Sequence, residues 1–236
     1  MHLFYAPDIA VRPCLPEEEA KHALKTLRLS EGDGLVLTDG QGFFYKAVIS
    51  HAGPKRCEVA VVEQWKQPDL WDFYLHIAVA PTKNIDRMEW FCEKATEIGI
   101  NAITCLLTSH SERREIKTGR LEKILVSGMK QSHKATLPHL TGMTDFRDFI
   151  QQPFEGRKFI AHCEEGKKLL IGQTYRRGEH ALVLIGPEGD FSPEEISLAV
   201  EQGFEPVSLG KSRLRTETAA LVACHTFHVL NPSSSV

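Results

Sequence analysis

From about residue 73 the chain alternates short apolar runs with segments of helical spacing, and this rhythm limits the fold more than any single motif does. YLHIAVA (74–80), AITCLL (102–107), KFIAHC (158–163) and ALVLIG (181–186) read as strands. None keeps strict polar–apolar alternation, as expected of strands covered on both faces. Between them, 84–98 places Ile85, Met88, Phe91, Cys92, Ala95 and Ile98 at helical spacing. Residues 119–132, 192–202 and 216–230 also read as helices, and 206–209 as a short strand. Strand–helix alternation predicts an α/β domain built on a mostly parallel sheet.

The first 66 residues keep another rhythm. Apolar runs at 35–37, 43–49 and 57–62 are punctuated by EGDG (31–34), DGQG (39–42) and HAGPK (51–55). Short strands with glycine-rich turns suggest a small barrel or meander. Residues 16–29 form its one helical-looking piece, and 64–72 reads as a linker or a last strand. A chain of 236 residues accommodates both parts, so the expected domains are 1–68 and 73–236. No internal repeat is visible, and SSS at 233–235 is the one low-complexity stretch.

Charge and cysteine usage narrow the possible roles. A formal net charge of −3 rules out a basic coat, so nucleic acid would have to be held by local patches. The six cysteines are scattered, with no C-x-x-C pair, which argues against a disulfide framework or zinc finger and for a reducing compartment. The start, MHLFYAPDIAVRPCLPEEE, has no apolar signal core, and no 18-residue apolar run follows. The expectation is a soluble cytoplasmic protein with no membrane partner.

Against that mild acidity, SLGKSRLRTETAAL (208–221) gathers Lys211, Arg213 and Arg215 just ahead of an apolar helix. GKS suggests a phosphate loop, but G-x-x-x-x-G-K-S/T needs a glycine at 205, which is Glu205, and Gly203 is two places early. With no G-x-G-x-x-G either, nucleotide hydrolysis and a dinucleotide fold lack support.

Two loops share one design. ALVLIGPEGDFSPEE (181–195) ends a buried strand in Gly-Pro-Glu-Gly; Ser192 can then cap a helix, with Pro193 at its first position and Glu195 completing a capping box. PVSLGKSRLRTETAA (206–220) ends a strand at Gly210, and Thr216 is a candidate N-cap with Glu217 in the first turn. Each could be a plain strand–turn–helix connection, its cations solvated or paired with Glu194, Glu195 or Glu201. Equally, a helix N-terminus flanked by arginines suits a carboxylate or phosphate, and loops at strand C-terminal ends are where α/β sheets bind ligands.

The combination IGPEG (185–189) and LGKSRLRTETA (209–219) resembles the SPOUT RNA methyltransferases, and within them the RsmE family of 16S rRNA uridine N3-methyltransferases. Gly186, Pro187, Glu188, Gly189, Leu209, Gly210, Leu214, Arg215, Glu217, Thr218 and Ala219 fill the pattern. KNIDRMEWFCEKATEIG (83–99), SERR (111–114) and KQSHKATLP (130–138) are similar to upstream segments. HALKTLRLSEGD (22–33) and LTDGQGFFYKA (37–47) resemble the family's PUA-like β-barrel. Asp190 stands where a second glycine is usual, His133-Lys134 replaces a segment often containing arginine, and Leu121 sits where Trp is common.

The resemblance implies a trefoil-knotted parallel-sheet domain, with an S-adenosylmethionine site where three loops meet: those after 158–163 and 181–185, and 209–215. Carried over by position, the cofactor-binding residues are His162, Ile185, Gly186, Pro187, Glu188, Gly189, Leu209, Gly210 and Leu214. Arg215 would stabilise the uracil anion, and Glu217 would accept a proton or, as its place suggests, begin the helix. The RNA contacts implied are Arg28, Lys83, Arg87, Arg113, Arg114, Lys130, Lys134, Lys211 and Arg213, with Lys25 and 120–123 adjoining. The helix from 219 to 230 would pass through the knot and pack at a homodimer interface. His225 and His228 near its end read as favourable helix-dipole positions rather than metal ligands. Two alternatives stay open: a SPOUT enzyme acting on tRNA or on a ribose 2′-hydroxyl, and a non-catalytic assembly factor that binds ribosomal RNA.

Overall fold

The structure is a computed structural model describing residues 2–53, 56–164, 166 and 168–232. Part of the turn expected at 51–55 and the SSS stretch lie outside these. The chain divides into two compact units, Met1–Asp69 with Val126–Leu137, and Leu70–Leu125 with Pro138–Val236.

In the first unit, β1 (Leu3–Tyr5), β2 (Gly34–Thr38), β3 (Phe43–Ala52) and β4 (Cys57–Lys66) form a four-stranded sheet in the order β1-β2-β3-β4. The pair β1–β2 is parallel and the other pairs antiparallel. Helix α1 (Glu17–Lys21) runs on into a π-helical turn, His22–Thr26. Phe4, Ile9, Leu37 and Ile49 centre its core. Thr38 Oγ1 donates to the Ala135 carbonyl at 3.1 Å, and Gln67 brackets the same stretch from Ala135 N and the His133 carbonyl. Residues 126–137 are therefore fastened to this unit.

The second unit follows the predicted alternation. Its elements are β5 (Leu75–Val79), α2 (Ile85–Ile98), β6 (Ala102–Leu107), α3 (Thr118–Gln131, whose last turns fall in the first unit), β7 (His139–Asp145), α4 (Phe146–Ile150), β8 (Arg157–Ala161), β9 (Leu169–Leu170), α5 (Ile171–Thr174), β10 (Ala181–Ile185), α6 (Pro193–Glu201), β11 (Glu205–Ser208) and α7 (Thr216–Leu230). Seven strands pair in the order β7-β6-β5-β10-β8-β11-β9, every pair parallel. β10 is buried throughout, the cause of its unbroken ALVLI run. Because all strands run one way, the loops after β5, β6, β8, β10 and β11 emerge at one edge. Helix α7 lies against α2 and β5, with Ala220, Ala223, Cys224 and Phe227 buried. Among the described residues no helix is long and apolar enough to cross a membrane.

His76 of β5 is a sequestered base. Its Nε2 shares a 2.9 Å hydrogen bond with Thr104 Oγ1, and its ring meets Phe149 edge-on. Burial, with His139 adding to it, pushes its pKa down to about 4. The unfolded chain binds this proton near pH 6.5 and the folded chain only near 4, so stability is retained above pH 6.5 and lost as pH falls through that window. The expected loss is about 3 kcal/mol. Urea unfolding between pH 7 and 4 checks it: a His76→Phe variant with the wild-type pH slope would assign the loss elsewhere.

Candidate functional site

A cavity of about 530 Å³ opens at the C-terminal edge of the sheet between the loops after β8, β10 and β11. His162 and Cys163 line it from the first loop, and Ile185, Gly186, Pro187 and Gly189 from the second. Leu209, Gly210, Leu214, Thr216 and Ala219 close the third side. Nearly all the residues carried over as cofactor contacts thus meet around one space. Glu188 does not line it: the side chain is exposed, and its Oε1 accepts from Lys83 N at 3.1 Å.

The loops need their glycines. A Cβ on Gly186 would sit 3.1 Å from the Phe191 ring and 3.2 Å from Phe191 N, so the loop packs back on itself there. Gly210 has φ 136, a conformation side-chain-bearing residues rarely adopt. Asp190, which stands where the resemblance leads one to expect a second glycine, also has positive φ (63), which Asp tolerates better than most. Its carboxylate does what glycine cannot, accepting from Cys163 N at 2.6 Å and Phe191 N at 2.8 Å and so clasping two loops together. Asp190→Ala is expected to lower stability by about 1–2 kcal/mol through strain and lost acceptors. Asp190→Asn keeps the left-handed preference but only one of the two acceptor oxygens, so it should lose about half that. Thermal melting of the two variants checks this, and an Asp190→Asn variant that melts with wild type would remove the clasp.

Other anchors were not apparent from sequence. Ser192 caps α6 in the expected capping box, and Glu195 also accepts from Ser109 N (2.7 Å) and Ser109 Oγ (3.1 Å), tying in the loop after β6. His110 Nδ1 lies 3.1 Å and 3.0 Å from the carbonyls of Gly189 and Asp190. Arg113 donates to the carbonyls of Thr82 and Lys83, bracing the loop after β5. The Cys163 thiol is held above its usual range, by burial first and by Asp190 next, which disfavours the thiolate.

The two residues assigned to chemistry sit outside the cavity wall. Arg215, not Thr216, is the N-cap of α7; it is exposed and its side chain makes no cap hydrogen bond. Thr216 is instead the first helical residue and is buried. Glu217 is buried, with Oε1 3.8 Å from Arg87 Nε of α2 and Oε2 without a partner among the described residues.

The cations carried over as RNA contacts divide by surroundings. Lys211 and Arg213 are exposed on the cavity rim. Lys83 pairs with Glu112 at 2.8 Å, a hydrogen bond that raises its pKa; with Arg113, Arg114 and Glu115 these two form a charged hollow at the same sheet edge. In the first unit, Lys130 pairs with Glu19 at 2.5 Å and Arg28 is exposed with φ 58. Lys134 is buried at 8% exposure, which leaves little surface to offer a phosphate. His225 is exposed, whereas His228 is half-buried with Nε2 2.7 Å from the Gly99 carbonyl.

The chain, with its parallel sheet, a glycine-walled cavity beyond the strand ends and a separate small β-rich unit, matches two family descriptions. The RNA methyltransferase domain covers residues 70–228 and the RNA methyltransferase PUA domain residues 15–62. The crystal structure of a probable rRNA-methyltransferase from Porphyromonas gingivalis superposes with a TM-score of 0.93, 46% identity and 98% of each chain covered. A ribosomal RNA small subunit methyltransferase E from Neisseria gonorrhoeae bound to S-adenosyl methionine gives 0.85 at 28% identity, again over 98% of each chain. The Rickettsia conorii protein of that name is 30% identical over 212 residues, 89% of this chain and 86% of its own. Fold and site thus define the class, the RNA methyltransferases. Within it, the chain belongs to the ribosomal RNA small subunit methyltransferase E family.

Proposed function

We propose that this chain methylates N3 of a specific uridine in 16S rRNA of the small ribosomal subunit, using S-adenosylmethionine held in the three-loop cavity. The observation that carries the reading is the convergence of His162, the Gly186–Pro187 turn, Leu209, Gly210 and Leu214 on one space. Its volume of about 530 Å³ falls in the range of small-molecule sites. The glycine backbones admit close approach of a nucleoside, and His162, whose Nε2 is unpartnered among the described residues, stands in the cavity wall as its polar side chain from the loop after β8. S-adenosylmethionine, when bound, supplies a methyl group activated on a sulfonium.

The remaining chemistry belongs to this chain's residues. Uridine N3 is a poor nucleophile while it keeps its proton, so its anion must be stabilised and N3 held in line. Arg215, permanently charged and beside the rim cations Lys211 and Arg213, is assigned to the uracil oxygens. Glu217 is assigned to holding the start of α7 against Arg87, since it faces α2 and not the cavity. The rim cations, with Lys83, Arg87, Arg113 and Arg114, are assigned to RNA phosphate, and the PUA-like unit, with Arg28, to a further RNA contact. The working division is 1–68 for RNA and 73–236 for catalysis, with α7 closing a trefoil knot and meeting a second copy in a homodimer.

Labelled methyl transfer to small-subunit rRNA, followed by mapping of N3-methyluridine in a strain lacking this protein, tests the reading. Persistence of that mark without the protein would sink it, and label on tRNA or on a ribose hydroxyl would replace it.

A further inference from the structure

We propose that Lys168 fixes the ring tautomer of His162 so that its Nε2–H donates to a hydrogen-bond acceptor on the bound cofactor; this rests on reading the cavity as an S-adenosylmethionine site. Lys168 curls over the loop after β8. Its Nζ meets three acceptors: the His162 carbonyl at 2.8 Å, the Glu164 carbonyl, and His162 Nδ1 at 3.4 Å. An ammonium has three N–H donors and no acceptor. Nδ1 must therefore accept, and in the neutral imidazole the one proton then resides on Nε2.

The surroundings of His162 favour the neutral ring. Burial, and next the Lys168 charge, lower its pKa, against weaker opposing effects of Asp190 and Glu164. Nε2 is buried and has no hydrogen-bond partner among the described residues, although His162 lines the cavity. A buried N–H without an acceptor is costly, and a ligand in the cavity that His162 lines can satisfy it once the ring turns to expose Nε2. His162 thereby sets a polarity rule: the ligand must present an acceptor, such as a ring nitrogen or an oxygen, to this N–H. A group carrying only N–H donors there is rejected. Lys168 acts as a positioning residue, because it touches His162 and its loop rather than the ligand.

The experiment has a spectroscopic and a calorimetric arm, both on the full chain. Nitrogen-15 NMR of the cofactor-free protein should report His162 as the Nε2-protonated tautomer, and Lys168→Met should shift it towards a mixture. An Nδ1-protonated ring in wild type, or an unmoved tautomer in Lys168→Met, overturns the inference. In titrations with S-adenosylmethionine, His162→Phe should bind about tenfold more weakly, as expected for one lost hydrogen bond with its partner left unpaired. His162→Gln, which keeps an N–H near the same place, should stay within about threefold of wild type. Circular dichroism verifies that the variants fold, and if His162→Phe does not, weaker binding by Lys168→Met carries the same expectation. Wild-type affinity in folded His162→Phe overturns the donor role and leaves the cofactor site standing. No binding by wild type overturns the cofactor reading itself, and this inference with it.

Discussion

Replacing Arg215 with alanine is expected to cut turnover about a hundredfold or more while melting stays within a few degrees of wild type. The two outcomes separate because of where the residue sits. Its backbone (φ −72, ψ 156) is extended and tolerated by any residue, and its exposed side chain makes no cap hydrogen bond. Removing the guanidinium therefore costs the fold little. For the chemistry it is the charge at the junction of the cavity rim and α7, where the uracil oxygens would gain negative charge. Arg215→Lys keeps the charge and loses the planar fork, so an intermediate rate is expected. Single-turnover methyl transfer at saturating cofactor isolates this step, and calorimetry should find cofactor affinity unchanged in both variants. Wild-type turnover in Arg215→Ala would remove the assigned role.

How far the sequence could be read follows from how each feature is encoded. Strands such as β10 were visible because burial on both faces demands an apolar run. The start of α6 was visible because Ser192, Pro193 and Glu195 each satisfy a local requirement of a helix N-terminus. β7 (HLTGMTD) was not, since its side chains are mostly half-buried or exposed and it carries no apolar run. β9 and α5, two and four residues long, are too short for any period to appear. Nor does helical spacing disclose which core a helix faces, so the attachment of 126–137 to the first unit emerged only in three dimensions.

The site divides in the same way. Two glycine loops at strand ends announced the cavity. Within a tight turn, however, one step along the chain reverses a side chain's direction. Glu188 therefore points to Lys83 while its neighbours Pro187 and Gly189 line the cavity. Thr216 and Glu217 part because successive residues of a helix point about 100° apart, the first to the cavity and the second to Arg87. The Asp190 clasp joins two loops and the Lys168 brace ties one loop to itself, and no sequence pattern encodes either set of partners.

Gly99→Ala should cost stability by about 3 to 5 kcal/mol, the larger effect on the fold itself. Gly99 ends α2 with φ 133 and ψ 115, a conformation that strains any residue bearing a Cβ. That Cβ would also lie 2.7 Å from both His228 Cε1 and Trp71 Cζ3. The neighbours have little room to yield. His228 donates to the Gly99 carbonyl through Nε2 at 2.7 Å, and its ring is met edge-on by Trp71 and Phe73. Cys224 Sγ bonds to the same carbonyl at 3.4 Å. The contact thus sets the distance between α2 and α7, and α7 carries Thr216 and Ala219 into the cavity wall. A double-mutant cycle separates strain from crowding. His228→Ala alone loses a hydrogen bond and ring contacts, but combined with Gly99→Ala it also relieves the clash, so the losses should sum to less than their separate total. Strict additivity would assign the cost to backbone strain and the Trp71 contact, with none to His228. A Gly99→Ala variant that melts with wild type, where a drop of roughly 10 °C is expected, would mean that this junction does not hold α7 in place.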